Sequence, residues 1–100
     1  MTISEQRSDV SVGAKPINVI VADDHSMISE CICSFLETRI NGTVSPQSTF
    51  QGAMEAAAAK HCDVILLDMV MPGMDGVEFI RHVAERQLAS AVVIASGLEE

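Results

Sequence analysis

Three short runs constrain this chain more than anything else in it: INVIVA (17–22), DVILLD (63–68) and AVVIAS (91–96). Each is β-branched and aliphatic and lacks strict alternation of apolar and polar residues. That is the pattern of a strand covered on both faces of a sheet. A chain of 100 residues has material for one small domain around such strands. With 48% hydrophobic and only 3% aromatic residues, the core must be aliphatic.

The segments between the runs read as helices. From Met27, the positions Ile28, Cys31, Ile32, Phe35, Leu36 and Ile40 recur at three-to-four spacing, and Asn41-Gly42 is the expected stop. TFQGAMEAAAAK (49–60) predicts an alanine-rich helix capped by Thr49. GVEFIRHVAERQ (76–87) predicts a third, amphipathic through Val77, Ile80, Val83 and Ala84. TVSPQS (43–48) is a weak strand whose Pro46 confines it to a sheet edge or denies it strand status. Residues 1–16 are polar and aperiodic and read as a disordered, mobile tail before one domain over 17–100.

The resulting order, β-α-β-α-β-α-β, predicts a parallel sheet with right-handed crossovers and helices on both faces. Function in such sheets gathers beyond the carboxyl ends of the strands. Those ends hold Asp23 and Asp24 after the first run, Asp68 at the end of DVILLD, and Ser96 with Gly97 after AVVIA. Taken singly, an aspartate pair there is a solvated turn or a helix cap. Taken together, three carboxylates on one rim repel one another unless a cation joins them. They are hard oxygen ligands suited to magnesium, and a nearby hydroxyl completes a site for handling a phosphoryl group.

Charge and cysteines narrow the alternatives. Six basic against 14 acidic residues give a net charge of −8, which argues against a nucleic-acid or anionic-membrane surface on this segment. No apolar run is long enough to span a membrane, and no secretory signal opens the chain. Cys31, Cys33 and Cys62 form neither a disulfide framework nor a zinc pattern and read as buried or half-buried thiols in a reducing compartment. His25 follows the acidic pair and could approach a metal there, but reads as a loop histidine, since magnesium prefers oxygen; His61 and His82 read as surface residues.

These residues resemble the receiver domains of bacterial two-component response regulators. The resemblance runs from about Ile17 to the chain end. It rests on Asp23-Asp24, on Asp68, on the loop MPGMDG (71–76), and on Ser96-Gly97. It implies a flavodoxin-like, doubly wound parallel sheet in the order 2-1-3-4, with the fifth strand and last helices missing. It implies that Asp68 accepts a phosphoryl group from a sensor histidine kinase or phosphotransfer protein. Magnesium would lie on Asp24, Asp68 and the Val70 backbone carbonyl, with Asp23 acting mainly through water. Ser96 would hydrogen-bond the phosphoryl group and draw the next loop inward. The protein would be a cytoplasmic signalling switch, not an enzyme beyond its own phosphorylation and dephosphorylation.

The sequence departs from that family where a fifth strand would carry a lysine and an aromatic residue, because it stops at Glu100. It is expected to be a fragment of a longer regulator or a shortened receiver. The alternative function is an interaction module that no longer signals by phosphorylation. AVVIAS is expected to be an exposed edge through which the chain self-associates at residues 91–96. Two rivals fail on single positions. A haloacid-dehalogenase-type phosphatase needs an aspartate where Val70 stands, and a P-loop needs glycines that ADDHS lacks.

Overall fold

The first strand, β1 (Ile17–Ala22), lies inside the sheet, with β2 (Gly42–Gln47) on one side and β3 (Cys62–Leu67) on the other. The fourth, β4 (Ala89–Ile94), pairs with β3, so the order is β2-β1-β3-β4 and every pairing is parallel. The crossovers are α1 (Ser26–Glu37), α2 (Phe50–Ala59) and α3 (Gly76–Arg86). This is a computed structural model that describes residues 16–71, 73 and 75–95. The predicted tail before Pro16, Pro72, Met74, Ser96, Gly97 and the final LEE lie outside the described residues.

Alternation along the strands explains the near-continuous apolar runs. Val19 and Val21 point to one face, where Cys33, Ile32 and Leu36 of α1 cover them together with Val64 and Leu66. Ile20, Ala22, Ile65 and Leu67 point to the other, against Phe50, Ala53 and Ala57 of α2 and Phe79 and Val83 of α3. A strand covered on both faces has no solvent side on which to place polar residues. Phe50 and Phe79, both fully buried, meet tilted with ring centroids 5.3 Å apart and join α2 to α3. Thr49 caps α2 as expected, its hydroxyl accepting from the Gly52 N–H at 2.9 Å.

Several local expectations are corrected. The first helix ends at Glu37, not at Asn41-Gly42, with the Thr38 hydroxyl donating to the Phe35 carbonyl at 2.8 Å. Its apolar stripe is wider than the face it buries, since Ile28 is 49% and Phe35 56% exposed. Gly42 instead opens β2 at φ +147°, where a Cβ would sit 1.8 Å from the Ile17 carbonyl oxygen. Its absent side chain allows β1 and β2 to meet. The last strand begins two residues earlier than AVVIAS and ends at Ile94. Pro46 does lie in an edge strand. The Asp23 N–H bonds the Gln47 carbonyl, and in a parallel ladder that alternation turns Pro46, which has no N–H to give, away from β1. Among the described residues no helix is long and apolar enough to cross a membrane.

Candidate functional site

Three adjacent parallel strands deliver their next residues to one rim. The ladder continues one step past each strand: the Asp68 N–H bonds the Ala22 carbonyl at 2.9 Å, the Asp23 N–H bonds the Gln47 carbonyl at 3.0 Å, and the Ala95 N–H bonds the Leu67 carbonyl at 2.9 Å. Backbone pairing thus sets where Asp23 and Asp68 stand. The predicted residues Asp23, Asp24 and Asp68 come together, and each offers an oxygen within 4.8 Å of the others. Asp68 is the most buried of the three at 4% exposure, while the side chain of Asp24 is a third exposed.

Short polar contacts hold the carboxylates in place. Asp23 Oδ1 accepts the His25 backbone N–H at 2.8 Å, an Asx turn that leads the chain into α1. Asp68 Oδ1 accepts the Val70 N–H at 2.9 Å, so the loop after β3 orients the carboxylate at its base. Gly76, buried at the start of α3, lies so close to Met69 that a Cβ would meet the Met69 Sδ at 2.7 Å. That close approach ties the far end of the loop back to its beginning. Ser96, expected at the same rim, lies outside the described residues; its neighbour Ala95 lines the cleft beside Asp68.

His25 is the residue that sequence reasoning weighed for this rim and set aside. Read as an ordinary loop histidine, it stands at the head of α1 with its Nδ1 3.1 Å from Asp23 Oδ1, 3.3 Å from Asp24 Oδ1 and 3.8 Å from Asp68 Oδ2. The hydrogen bond to Asp23 raises its pKa, and the charge of Asp24, with lesser contributions from those of Asp23 and Asp68, raises it further against a loss of hydration. Its position directly after the acidic pair was the only signal in the sequence. The three carboxylates thus favour the protonated form of the imidazole.

A cleft of about 560 Å³ opens from these groups and is walled on its apolar side by Ile28, Ile32, Val70 and Ala95. The donor set fits magnesium: three hard carboxylates converge with like charges that a cation would offset. The other histidines stand apart from it. His61 pairs with Asp63 at 3.2 Å, and His82 lies 3.9 Å from Glu78 on α3. Cys33 and Cys62 are buried as expected, but Cys31 is exposed, because two residues along a helix point in different directions.

Comparison with known proteins agrees with this geometry. Residues 19–100 match the family described as response regulator receiver domain. The transcriptional regulatory protein MalR of Bacillus subtilis (strain 168) is 33% identical over 86 residues, which cover 84% of this chain and 36% of MalR. The nitrate/nitrite response regulator protein NarL of Escherichia coli (strain K12) is 30% identical, covering 82% of this chain and 38% of its own. The chain thus spans little more than a third of the length of these relatives. Among solved structures, the receiver domain of the Francisella response regulator 1452 superposes with a TM-score of 0.73 at 26% identity, covering 86% of this chain and 69% of that one. The MaeR response regulator, 19% identical with a TM-score of 0.75 over 84% of this chain and 70% of that one, shares the fold. With the family matched over residues 19–100 and the sheet order and acidic rim in place, this chain belongs to the response regulator receiver domains.

Proposed function

We propose that this receiver domain is a phosphorylation-dependent signalling switch in which Asp68 accepts a phosphoryl group from the phosphohistidine of a sensor histidine kinase or phosphotransfer protein. The observation that carries the proposal is the convergence of Asp23, Asp24 and Asp68 within 4.8 Å at the carboxyl end of the sheet, with Asp68 the most buried. Asp68 Oδ1 accepts the Val70 N–H, which orients the carboxylate that would attack. A bond forms from an Asp68 carboxylate oxygen to phosphorus as the phosphorus–nitrogen bond of the donor breaks, and the departing imidazole keeps the electron pair. Asp24 and Asp68, with the Val70 carbonyl, would hold magnesium, and Asp23 would steady the site through water. Magnesium, when bound, offsets the negative charge that gathers as the phosphoryl oxygens approach the carboxylates.

The protein's own groups supply positioning. The loop N–H fixes the nucleophile, and Ile28, Ile32 and Val70 give the cleft an apolar wall that limits water. Ser96 is assigned the hydrogen bond to the transferred phosphoryl group, by which the following loop would move. Response regulators are signalling proteins, and the only chemistry proposed here is the domain's own phosphorylation and its reversal.

The test is intact-mass measurement after incubation with magnesium and a small acyl-phosphate donor. One phosphoryl group should add to the native chain and to Asp75→Asn, and none to Asp68→Asn. Full labelling of Asp68→Asn would overturn the assignment. No labelling of the native chain at all would favour a receiver-fold interaction module instead.

A further inference from the structure

His25 occupies the N-cap position of α1, where a polar side chain ordinarily accepts a helix N–H, yet its side chain makes no such bond. Its Nδ1 lies instead among the carboxylates, 3.1 Å from Asp23 Oδ1, 3.3 Å from Asp24 Oδ1 and 3.8 Å from Asp68 Oδ2. The backbone that carries the ring is held at both of its polar groups. The His25 N–H donates to Asp23 Oδ1 at 2.8 Å, and the His25 carbonyl accepts the Ser29 N–H at 2.9 Å. The side chain is 65% exposed, so the ring can adjust by a few tenths of an ångström without disturbing the core.

Those separations are the spacing of ligands that share one ion. With bonds of about 2.1 Å, neighbouring ligands stand about 3.0 Å apart around an octahedral ion and about 3.4 Å apart around a tetrahedral one. Asp23 and Asp24 meet Nδ1 at that spacing, and Asp68 Oδ2 needs only a widened angle of the same shell. One donor atom from each of the four residues lies within 4.8 Å of the others. We infer that His25 Nδ1 is a direct ligand of the metal site proposed above, and that it shifts the preference of that site from magnesium towards borderline transition ions such as manganese and nickel. The inference rests on the magnesium reading of this rim. Imidazole is a softer donor than carboxylate or water: nickel binds it well, and magnesium gains little from it. Where the carboxylates and a carbonyl leave a position to water, Nδ1 supplies a further protein donor. The proton that the carboxylates favour on the ring leaves as the ion binds, because the ion offsets the same charges.

Isothermal titration of the full chain with nickel and with magnesium, beside His25→Ala and His61→Ala, tests this. Nickel should bind the native chain, and excess magnesium should displace it. His25→Ala should lose at least about tenfold in nickel affinity and less than about twofold in magnesium affinity. His61→Ala, which removes a histidine paired with Asp63 at the start of β3, should match the native chain. Pulsed electron paramagnetic resonance of bound manganese reads the bond itself: nitrogen modulation should appear in the native chain and vanish in His25→Ala. Should that variant fold poorly, isotopic labelling of histidine nitrogen in the native chain decides, since a coordinated ring then changes the modulation frequency and magnesium removes it. Equal losses of nickel and magnesium affinity in folded His25→Ala overturn the inference and leave the magnesium site standing. An unchanged nickel affinity, or bound manganese without histidine nitrogen modulation, does the same. A native chain that binds no divalent ion overturns both readings.

Discussion

Replacing Gly42 by alanine should cost far more than a glycine substitution at an open turn. A Cβ on Gly42 would stand 1.8 Å from the Ile17 carbonyl oxygen, 2.6 Å from the Ile17 nitrogen and 2.7 Å from the Ile17 carbonyl carbon. All three are backbone atoms of the central strand β1, so no side chain can swing aside. Relief means parting β1 and β2 by more than an ångström, and the Ile17 N–H to Asn41 carbonyl bond, 2.7 Å long, cannot survive that. A lost backbone hydrogen bond costs about 1 kcal/mol, more where its groups stay buried. An L-residue at positive φ adds about 1–2 kcal/mol. The total is about 3 kcal/mol, roughly a hundredfold in the folding constant, and a large share of a small domain's stability. Gly73 is the control: it too has positive φ, +108°, but among the described residues nothing lies within 4 Å of its added Cβ. Gly73→Ala should lose only about 1 kcal/mol of backbone strain. Urea unfolding followed by circular dichroism measures both, with slopes compared to exclude a change of denatured state. Equal losses in the two variants would show that φ, not the strand contact, decides, and would refute the reasoning.

Asp24→Asn should raise metal-free stability by less than about 1 kcal/mol, because the side chain is a third exposed and its repulsions are screened. It should also remove about 1 kcal/mol of the stabilisation that saturating magnesium confers; thermal melts with and without the ion read both, and an unchanged magnesium response would sink the ligand assignment. Native-state alkylation followed by mass spectrometry should modify Cys31 alone, with Cys33 and Cys62 reacting only on unfolding. Burial pushes both of those thiols up. The unfolded chain therefore releases these protons first, and stability should fall as pH climbs into the range where exposed thiols ionise. Urea midpoints that do not fall there would contradict this.

Much of the site was legible before any coordinates. An aspartate directly after a buried strand must sit at that strand's carboxyl end, so Asp23, Asp24 and Asp68 could be placed on one rim from the alternation of elements alone. Thr49 was readable because a cap is a local matter between a hydroxyl and an N–H three residues on. His25 was not readable in the same way. Its role depends on Asp68, which arrives from another strand, and adjacency in sequence says nothing of where an imidazole turns.

The sequence by itself determined what depends on short-range pattern: that 17–22, 63–68 and the AVVI run are strands, that helices lie between the strands, and that β1 and β3 are covered on both faces; β4, read the same way, is not, with Val93 46% and Ile94 54% exposed. Tertiary structure decided what depends on which strands become neighbours. Asn41-Gly42 looked like a helix stop because glycine commonly ends helices, yet the pressure on Gly42 comes from Ile17, 25 residues earlier, across the sheet. Ile28 and Phe35 fit the helical stripe, but only the width of the sheet beneath α1 settles how much of that stripe is buried. Local pattern carries the chemistry of each segment. The contacts made by strand order are between residues far apart in the chain, and no local pattern encodes them.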